Sequence, residues 1–150
     1  MRTAGSGYSM LPAIFPGDTL EIRRIAFDHA RVGDIALVAS AGCTFAHRIV
    51  REEFPSGRRL LVTRGDAMES EDCTPVSEEE FLGCVECIVR SGRRVGPEIN
   101  KSTSATVLRT VLRRWPRTRA TMIRLHSLRE RFVRGLANGR MRPLPGDVID

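Results

Sequence analysis

The sequence predicts a mainly β fold that carries a basic α-helical extension at its C-terminus. Residues 18–92 consist of short apolar or alternating runs separated by Gly, Pro and Asp, a pattern typical of β-strands joined by turns. After Gly96-Pro97 the apolar residues recur in steps of three and four, the spacing of an amphipathic helix. The 150 residues suffice for one ordinary domain with an appendage. We therefore expect a β-rich domain over residues 1–97 and a helical extension over residues 98–150.

Five strands are expected in the β-rich domain, each bounded by residues that favour turns. They are Thr19–Ile25, Asp34–Ala39, Thr44–Arg51, Arg59–Thr63 and Gly83–Arg90. The turns between them contain Pro16-Gly17-Asp18, Gly33-Asp34, Ala41-Gly42, Pro55-Ser56-Gly57 and Ser91-Gly92. Ser77 is a suitable N-cap for a single helical turn over Glu78–Phe81.

The C-terminal extension is predicted to contain two helices, Thr103–Trp115 and Thr118–Ala137, separated by Pro116. The second helix combines an arginine-rich face with an apolar stripe, which consists of Met122, Leu125, Leu128, Phe132 and Leu136. Residues 101–150 carry a net charge of +9, whereas residues 1–100 carry −3. Three roles fit this pattern: packing on the β domain, peripheral contact with a membrane surface, and binding of a partner protein or nucleic acid. Nucleic acid is the least favoured partner.

The sequence contains no run of about 18 apolar residues, the length that a membrane-spanning helix requires. Residues 1–7 also lack the apolar stretch of a secretory signal. We therefore expect a protein that is cytoplasmic or peripheral to the membrane, with its four cysteines as buried free thiols. Zinc binding by Cys84 and Cys87 is disfavoured, because side chains three positions apart on a strand point to opposite faces. We expect no cofactor and no metal.

A series of short motifs in the β-rich domain indicates serine-dependent hydrolysis. In chain order they are Ser9-Met10-Leu11-Pro12, Pro16-Gly17-Asp18, Gly33-Asp34-Ile35, His47-Arg48-Ile49-Val50, Arg64-Gly65-Asp66 and Asp72. A serine hydroxyl is a weak nucleophile and needs a neighbouring base to accept its proton. His47 is the best candidate base, since an imidazole ordinarily titrates at about pH 6.5 and is mostly neutral at pH 7. A carboxylate must then orient the ring, and both Asp66 and Asp72 are candidates.

Taken in this order, the motifs resemble those of the signal peptidase I family, in the branch that pairs Ser with His rather than with Lys. The resemblance covers roughly residues 5–95. It implies the mostly β, partly open barrel that signal peptidases share with LexA-like self-cleaving repressors. It also implies that Ser9 is the nucleophile, His47 the general base and Asp72 the acid that orients the ring, with Asp66 as a supporting acid.

The resemblance further implies how a substrate is bound. Met10 and Pro12, which follow the serine, would contact the peptide, and the side chains that flank the scissile bond would be small. Gly7 stands where many members of the family have a hydroxyl residue that helps to bind the oxyanion. Backbone N–H groups, with that of Ser9 foremost, would take over this role here.

Three functions follow as hypotheses. The first is a signal peptidase-like serine endopeptidase that removes a leader or signal peptide. The second is a LexA-like regulatory protease that cleaves itself or a bound repressor; it is disfavoured because those proteins use a lysine base, and Lys101, the one lysine of the chain, lies beyond the β-rich domain. The third is a non-catalytic binding module that acts through its basic extension.

Overall fold

The computed structural model describes residues 1–40 and 42–97, which form a mainly β structure with one antiparallel sheet of seven strands. The strands are β1 (Arg2–Ala4), β2 (Thr19–Arg23), β3 (Ile35–Ser40), β4 (Cys43–Glu53), β5 (Leu60–Arg64), β6 (Phe81–Arg90) and β7 (Arg93–Val95). The strand order is β1-β2-β6-β3-β4-β5, and β7 pairs with β6. Among the described residues the sheet does not close into a barrel.

The five strands predicted from the sequence are confirmed, with shifts of one or two residues at most of their ends. Strands β1 and β7 were not predicted. Each strand is only three residues long, with one arginine in β1 and two in β7. Neither therefore shows the apolar run or the alternation that marks a half-buried strand. Both gain their backbone hydrogen bonds from longer neighbours, β1 from β2 and β7 from β6.

Strand β3 separates two hydrophobic cores because its alternate side chains point to opposite faces of the sheet. Ile35 and Leu37 belong to one core, and Ala36 and Val38 to the other. A strand buried on both faces reads as a continuous apolar run, which matches Ile35–Val38. The remaining buried members of the first core are Met10, Ala13, Ile14, Leu20, Ile22, Val85 and Ile88. Those of the second are Phe27, Ala30, Ile49, Leu61, Val76 and Cys84.

Three short 3-10 turns complete the described structure, at Phe27–His29, Pro55–Gly57 and Glu78–Glu80. The last of them is the helical turn expected after Ser77. Ser77 and Glu80 form a reciprocal capping box, in which the Glu80 carboxylate accepts a hydrogen bond from the Ser77 backbone N–H at 3.1 Å. This fixes Glu80 at the start of β6.

The predicted C-terminal extension, including the helices Thr103–Trp115 and Thr118–Ala137, lies outside the described residues. Within residues 1–40 and 42–97, no helix has the length and apolar character needed to cross a bilayer.

Candidate active site

Ser9, His47 and Asp72 form a continuous chain of hydrogen bonds. The Ser9 hydroxyl oxygen lies 2.9 Å from Nε2 of His47, and Nδ1 of His47 lies 2.7 Å from Oδ2 of Asp72. A carboxylate accepts hydrogen bonds, so Asp72 selects the tautomer in which Nδ1 carries the proton. Nε2 is then free to accept the hydrogen of the serine hydroxyl.

Asp72 is itself held in place by Thr63, a fully buried residue of β5. The Thr63 hydroxyl donates to Oδ2 of Asp72 at 2.6 Å, and the Asp72 backbone N–H donates to the Thr63 carbonyl at 2.9 Å. The sequence analysis did not identify Thr63 as a site residue. A threonine directly after three apolar residues of a strand is the signal that could have indicated it, because a buried hydroxyl needs a polar partner.

His47 lies on β4 opposite Ala36 of the central strand β3. The ring of Phe45, two residues earlier on the same strand face, lies 5.0 Å from the imidazole, measured between centroids. The side chain of His47 retains 13% of its full exposure and that of Asp72 retains 24%. The sheet therefore covers one side of His47, and the exposed parts of His47 and Asp72 remain accessible to a substrate.

The loop that carries Ser9 runs from β1 to β2 and is anchored at Asp18, a buried carboxylate. Asp18 accepts hydrogen bonds from the Phe15 backbone N–H and from the guanidinium of Arg90 on β6, with closest approaches of 2.8 and 2.7 Å. Arg90 also lies 4.4 Å from the centroid of the Phe15 ring and donates to the Ala13 carbonyl. The Pro16-Gly17-Asp18 motif thus fixes the far end of the Ser9 loop to the sheet.

The near end of the loop is fixed by the turn after β5. The Ala67 backbone N–H donates to the Ser9 carbonyl at 2.8 Å. Gly65 lies so close to Ser9 that no side chain would fit between them. The Arg64-Gly65-Asp66 motif therefore supplies a backbone surface on which Ser9 rests.

Asp66 forms a buried ion pair with Arg48, which resolves the choice between the two candidate acids. Both Asp66 oxygens accept hydrogen bonds from the Arg48 guanidinium at 2.7 Å, and Arg48 also donates to the Gly33 carbonyl at 2.6 Å. Both nitrogens of the His47 ring are occupied by Ser9 and Asp72. Asp72 is the residue placed to orient the ring. Arg48 on β4 instead connects Asp66 to the predicted turn at Gly33.

The two residues expected to contact substrate differ in their surroundings. Met10 is buried in the first core and also lines a cavity of about 160 Å³ beside Ser9. Pro12 is half-buried and follows Leu11 through a cis peptide bond. The lining of this cavity, called the Ser9 cavity below, also includes Gly7, Ile14, Leu20, Leu37 and Phe45.

The cysteines divide into two classes. Cys84 and Cys87 are buried free thiols, as expected, whereas Cys43 and Cys73 are exposed, contrary to the expectation of buried thiols. Cys43 begins β4, and Cys73 lies next to Asp72 in the segment between β5 and β6. Burial raises the pKa of the Cys84 thiol to about 12. In the described part of the chain, no cluster of three or more His, Cys, Asp or Glu side chains has an arrangement suited to a metal ion.

Comparison of the chain with models of known protein families, with curated proteins and with solved structures found no match.

Proposed function

We propose that the chain is a serine endopeptidase similar to the Ser/His signal peptidases, which hydrolyses a peptide bond through an acyl-enzyme on Ser9. The observation that carries this proposal is the hydrogen-bonded sequence Ser9 Oγ, His47 Nε2, His47 Nδ1 and Asp72 Oδ2. Its members come from three separate segments of the chain: the loop before β2, strand β4 and the turn after β5. A nucleophile, a base and an orienting acid in this geometry are the requirements of nucleophilic acyl transfer.

Acylation begins when Oγ of Ser9 attacks the carbonyl carbon of the scissile bond and its proton passes to Nε2 of His47. The charge of Asp72 stabilises the imidazolium that forms. As the tetrahedral intermediate collapses, the C–N bond breaks and His47 returns the proton to the departing amine. The amino-terminal part of the substrate remains as an ester on Ser9.

Deacylation repeats these steps with water as the nucleophile. His47 accepts a proton from the water as its oxygen attacks the ester carbon, and then donates the proton to Oγ of Ser9 as the carboxylic acid leaves. The oxyanion needs hydrogen-bond donors near the attacked carbon. Among the described residues, no backbone carbonyl accepts the N–H of Ser9, which leaves this donor available beside the nucleophile.

The Ser9 cavity supports a preference for small side chains before the scissile bond. Its volume of about 160 Å³ and its lining by Met10, Ile14 and Leu37 suit a small apolar group such as that of alanine. A leader or signal peptide with small residues at its cleavage site would meet this requirement. We further propose that the fold is related to the partly open barrel of signal peptidases and LexA-like proteins.

Peptide hydrolysis in trans tests the proposal. Wild-type protein should cleave a fluorogenic peptide that has alanine before the scissile bond, and Ser9→Ala should abolish cleavage. Ser56→Gly, which removes an exposed hydroxyl from the turn between β4 and β5, is the matched control and should retain full activity. Equal activity of wild type and Ser9→Ala would exclude Ser9 as the nucleophile.

A further inference from the structure

A second cavity, of about 500 Å³, lies beside His47. His47 and Asp72 form part of its wall, so we call it the His47 cavity. Ser9 lines the first cavity, His47 lines the second, and Phe45 lines both. The hydrogen bond from Ser9 to His47 therefore spans the boundary between the two cavities.

The proton transfers assign each cavity to one half of the substrate. The acyl half stays bonded to Ser9, which places its last side chain at the Ser9 cavity. The amine half takes a proton from Nε2 of His47 as it leaves, so its nitrogen must come within hydrogen-bonding distance of that ring. The residues that follow the scissile bond are thereby directed along His47 into the His47 cavity.

The lining of the His47 cavity combines apolar side chains with carboxylates. Val38, Phe45 and Val76 provide apolar surface, and Glu71 and Glu80 provide negative charge. Among the described residues, no lysine or arginine belongs to the lining. A lysine or arginine side chain has the complementary form, with an apolar stem that packs on hydrocarbon and a cationic end that seeks a carboxylate.

Among the carboxylates that line the His47 cavity, Glu80 is the one whose negative charge is available to bind a cationic ligand. It accepts hydrogen bonds from the Ser40 hydroxyl at 2.5 Å and from the Ser77 backbone N–H, and these neutral donors lower its pKa. In the described part of the chain the hydrogen bonds of Glu80 come from Ser40 and Ser77, which carry no charge. Glu71, in contrast, already pairs with Arg51 at 3.0 Å.

We infer that the His47 cavity is a specificity subsite for a lysine or arginine side chain in the segment that follows the scissile bond, and that Glu80 recognises its positive charge. This inference rests on the proposed function, because the cleavage chemistry determines which half of the substrate enters the cavity. It adds a requirement for charge after the cleavage site to the requirement for a small side chain before it.

Peptide binding to the inactive variant Ser9→Ala tests the subsite without depending on turnover. Fluorescent peptides that differ at a single position after the scissile bond, with Lys, Ala or Glu, are titrated by anisotropy at low salt. The Lys peptide should bind about tenfold more tightly than the Glu peptide, as expected for a partly shielded charge pair. Adding Glu80→Gln should remove the difference while preserving the capping box, because glutamine can also accept the Ser77 hydrogen bond.

Glu78→Gln is the matched control, since it removes one charge from the same 3-10 turn at an exposed residue that does not line the cavity. The charge preference should persist in this variant. Equal affinity for the Lys and Glu peptides, or a preference that survives Glu80→Gln, would overturn the subsite.

A serine-reactive fluorophosphonate separates this result from a failure of the proposed function. A wild-type protein that is labelled at Ser9 but shows no charge preference overturns the subsite alone. A wild-type protein that is not labelled overturns the hydrolase, and with it the role of the subsite in cleavage.

Discussion

Gly65 lies against Ser9 so closely that a Cβ at position 65 would be 2.7 Å from the Ser9 carbonyl oxygen and 2.9 Å from the Ser9 Cβ. Both distances are shorter than any non-bonded contact that a real Cβ makes. The close approach lets the Ala67 backbone N–H reach the same carbonyl oxygen. The turn after β5 therefore determines where the hydroxyl of Ser9 lies relative to His47.

Replacing Gly65 with alanine should reduce catalysis more than folding. The new methyl group displaces Ser9 from His47, and a misplacement of about 1 Å commonly costs about 100-fold in rate. We expect kcat for a peptide substrate to fall by about two orders of magnitude. The thermal unfolding temperature, measured in parallel, should change little. Gly96→Ala is the control, because a Cβ there meets no atom of the described residues within 4 Å, and its activity should equal that of wild type. Full activity in Gly65→Ala would show that Ser9 is not positioned by this contact.

Substitution of Asp72 should lower mainly the activity, and substitution of Asp66 should lower mainly the stability of the fold. Asp72→Asn removes the acceptor that fixes the His47 tautomer, so kcat should fall by about 10⁴-fold while the unfolding free energy changes little. Asp66→Asn leaves Arg48 as an unpaired buried cation, which should lower the unfolding free energy by about 3–5 kcal/mol. Activity assays and urea denaturation measure the two effects.

Glu79→Gln serves as the control for the stability measurement. Its ion pair with Arg58 is exposed on both sides, with an N–O distance of 3.6 Å, so its loss should have little effect on the urea midpoint. The assignment of roles would be contradicted if Asp66→Asn abolished activity in a fully stable protein, or if Asp72→Asn remained active.

The rate should increase with pH and then level off. Protonated imidazole cannot accept the hydrogen of Ser9, so acid suppresses the reaction, and the rate rises as the imidazole loses its proton. A general base acts in its unprotonated form, so kcat/KM should rise from acidic pH to a plateau. A profile of kcat/KM measured from acidic to alkaline pH tests this. A rate that still climbs steeply beyond about pH 9 would indicate a different base.

Thiol labelling should divide the four cysteines into two pairs. A thiolate is the reactive form, and the raised pKa of Cys84 keeps that thiol protonated as well as shielded. Cys43 and Cys73 should react rapidly with a disulfide reagent in the native protein, whereas Cys84 and Cys87 should react only after unfolding. Rapid reaction of all four thiols without denaturant would contradict the burial described for β6.

The strands and the members of the hydrogen-bonded set Ser9, His47 and Asp72 could be predicted because their signals are local. Alternation and turn residues marked β2 to β6, and the order of the Ser9, His47 and Asp72 motifs indicated the chemistry. Strands β1 and β7 escaped prediction because their stability comes from pairing with longer neighbours rather than from their own side chains. Tertiary context of this kind overrides local propensity.

The choice between Asp66 and Asp72 could not be made from the sequence, because either could supply the carboxylate and only the fold determines which one reaches His47. The decision depends on Arg48, whose side chain points to the opposite face of β4 from His47 and takes Asp66 as its partner. The contact of Gly65 with Ser9 likewise joins residues that are far apart in sequence. It depends on how the loop between β1 and β2 packs on the turn after β5, which no short motif encodes.

The most direct test of the account is the site of fluorophosphonate modification, mapped by mass spectrometry in wild type, Ser9→Ala and His47→Ala. The account predicts one adduct on the peptide that contains Ser9 in the wild-type protein, no adduct in Ser9→Ala, and strongly slowed labelling in His47→Ala. Absence of the adduct from folded wild-type protein, or an adduct that persists in Ser9→Ala, would contradict it.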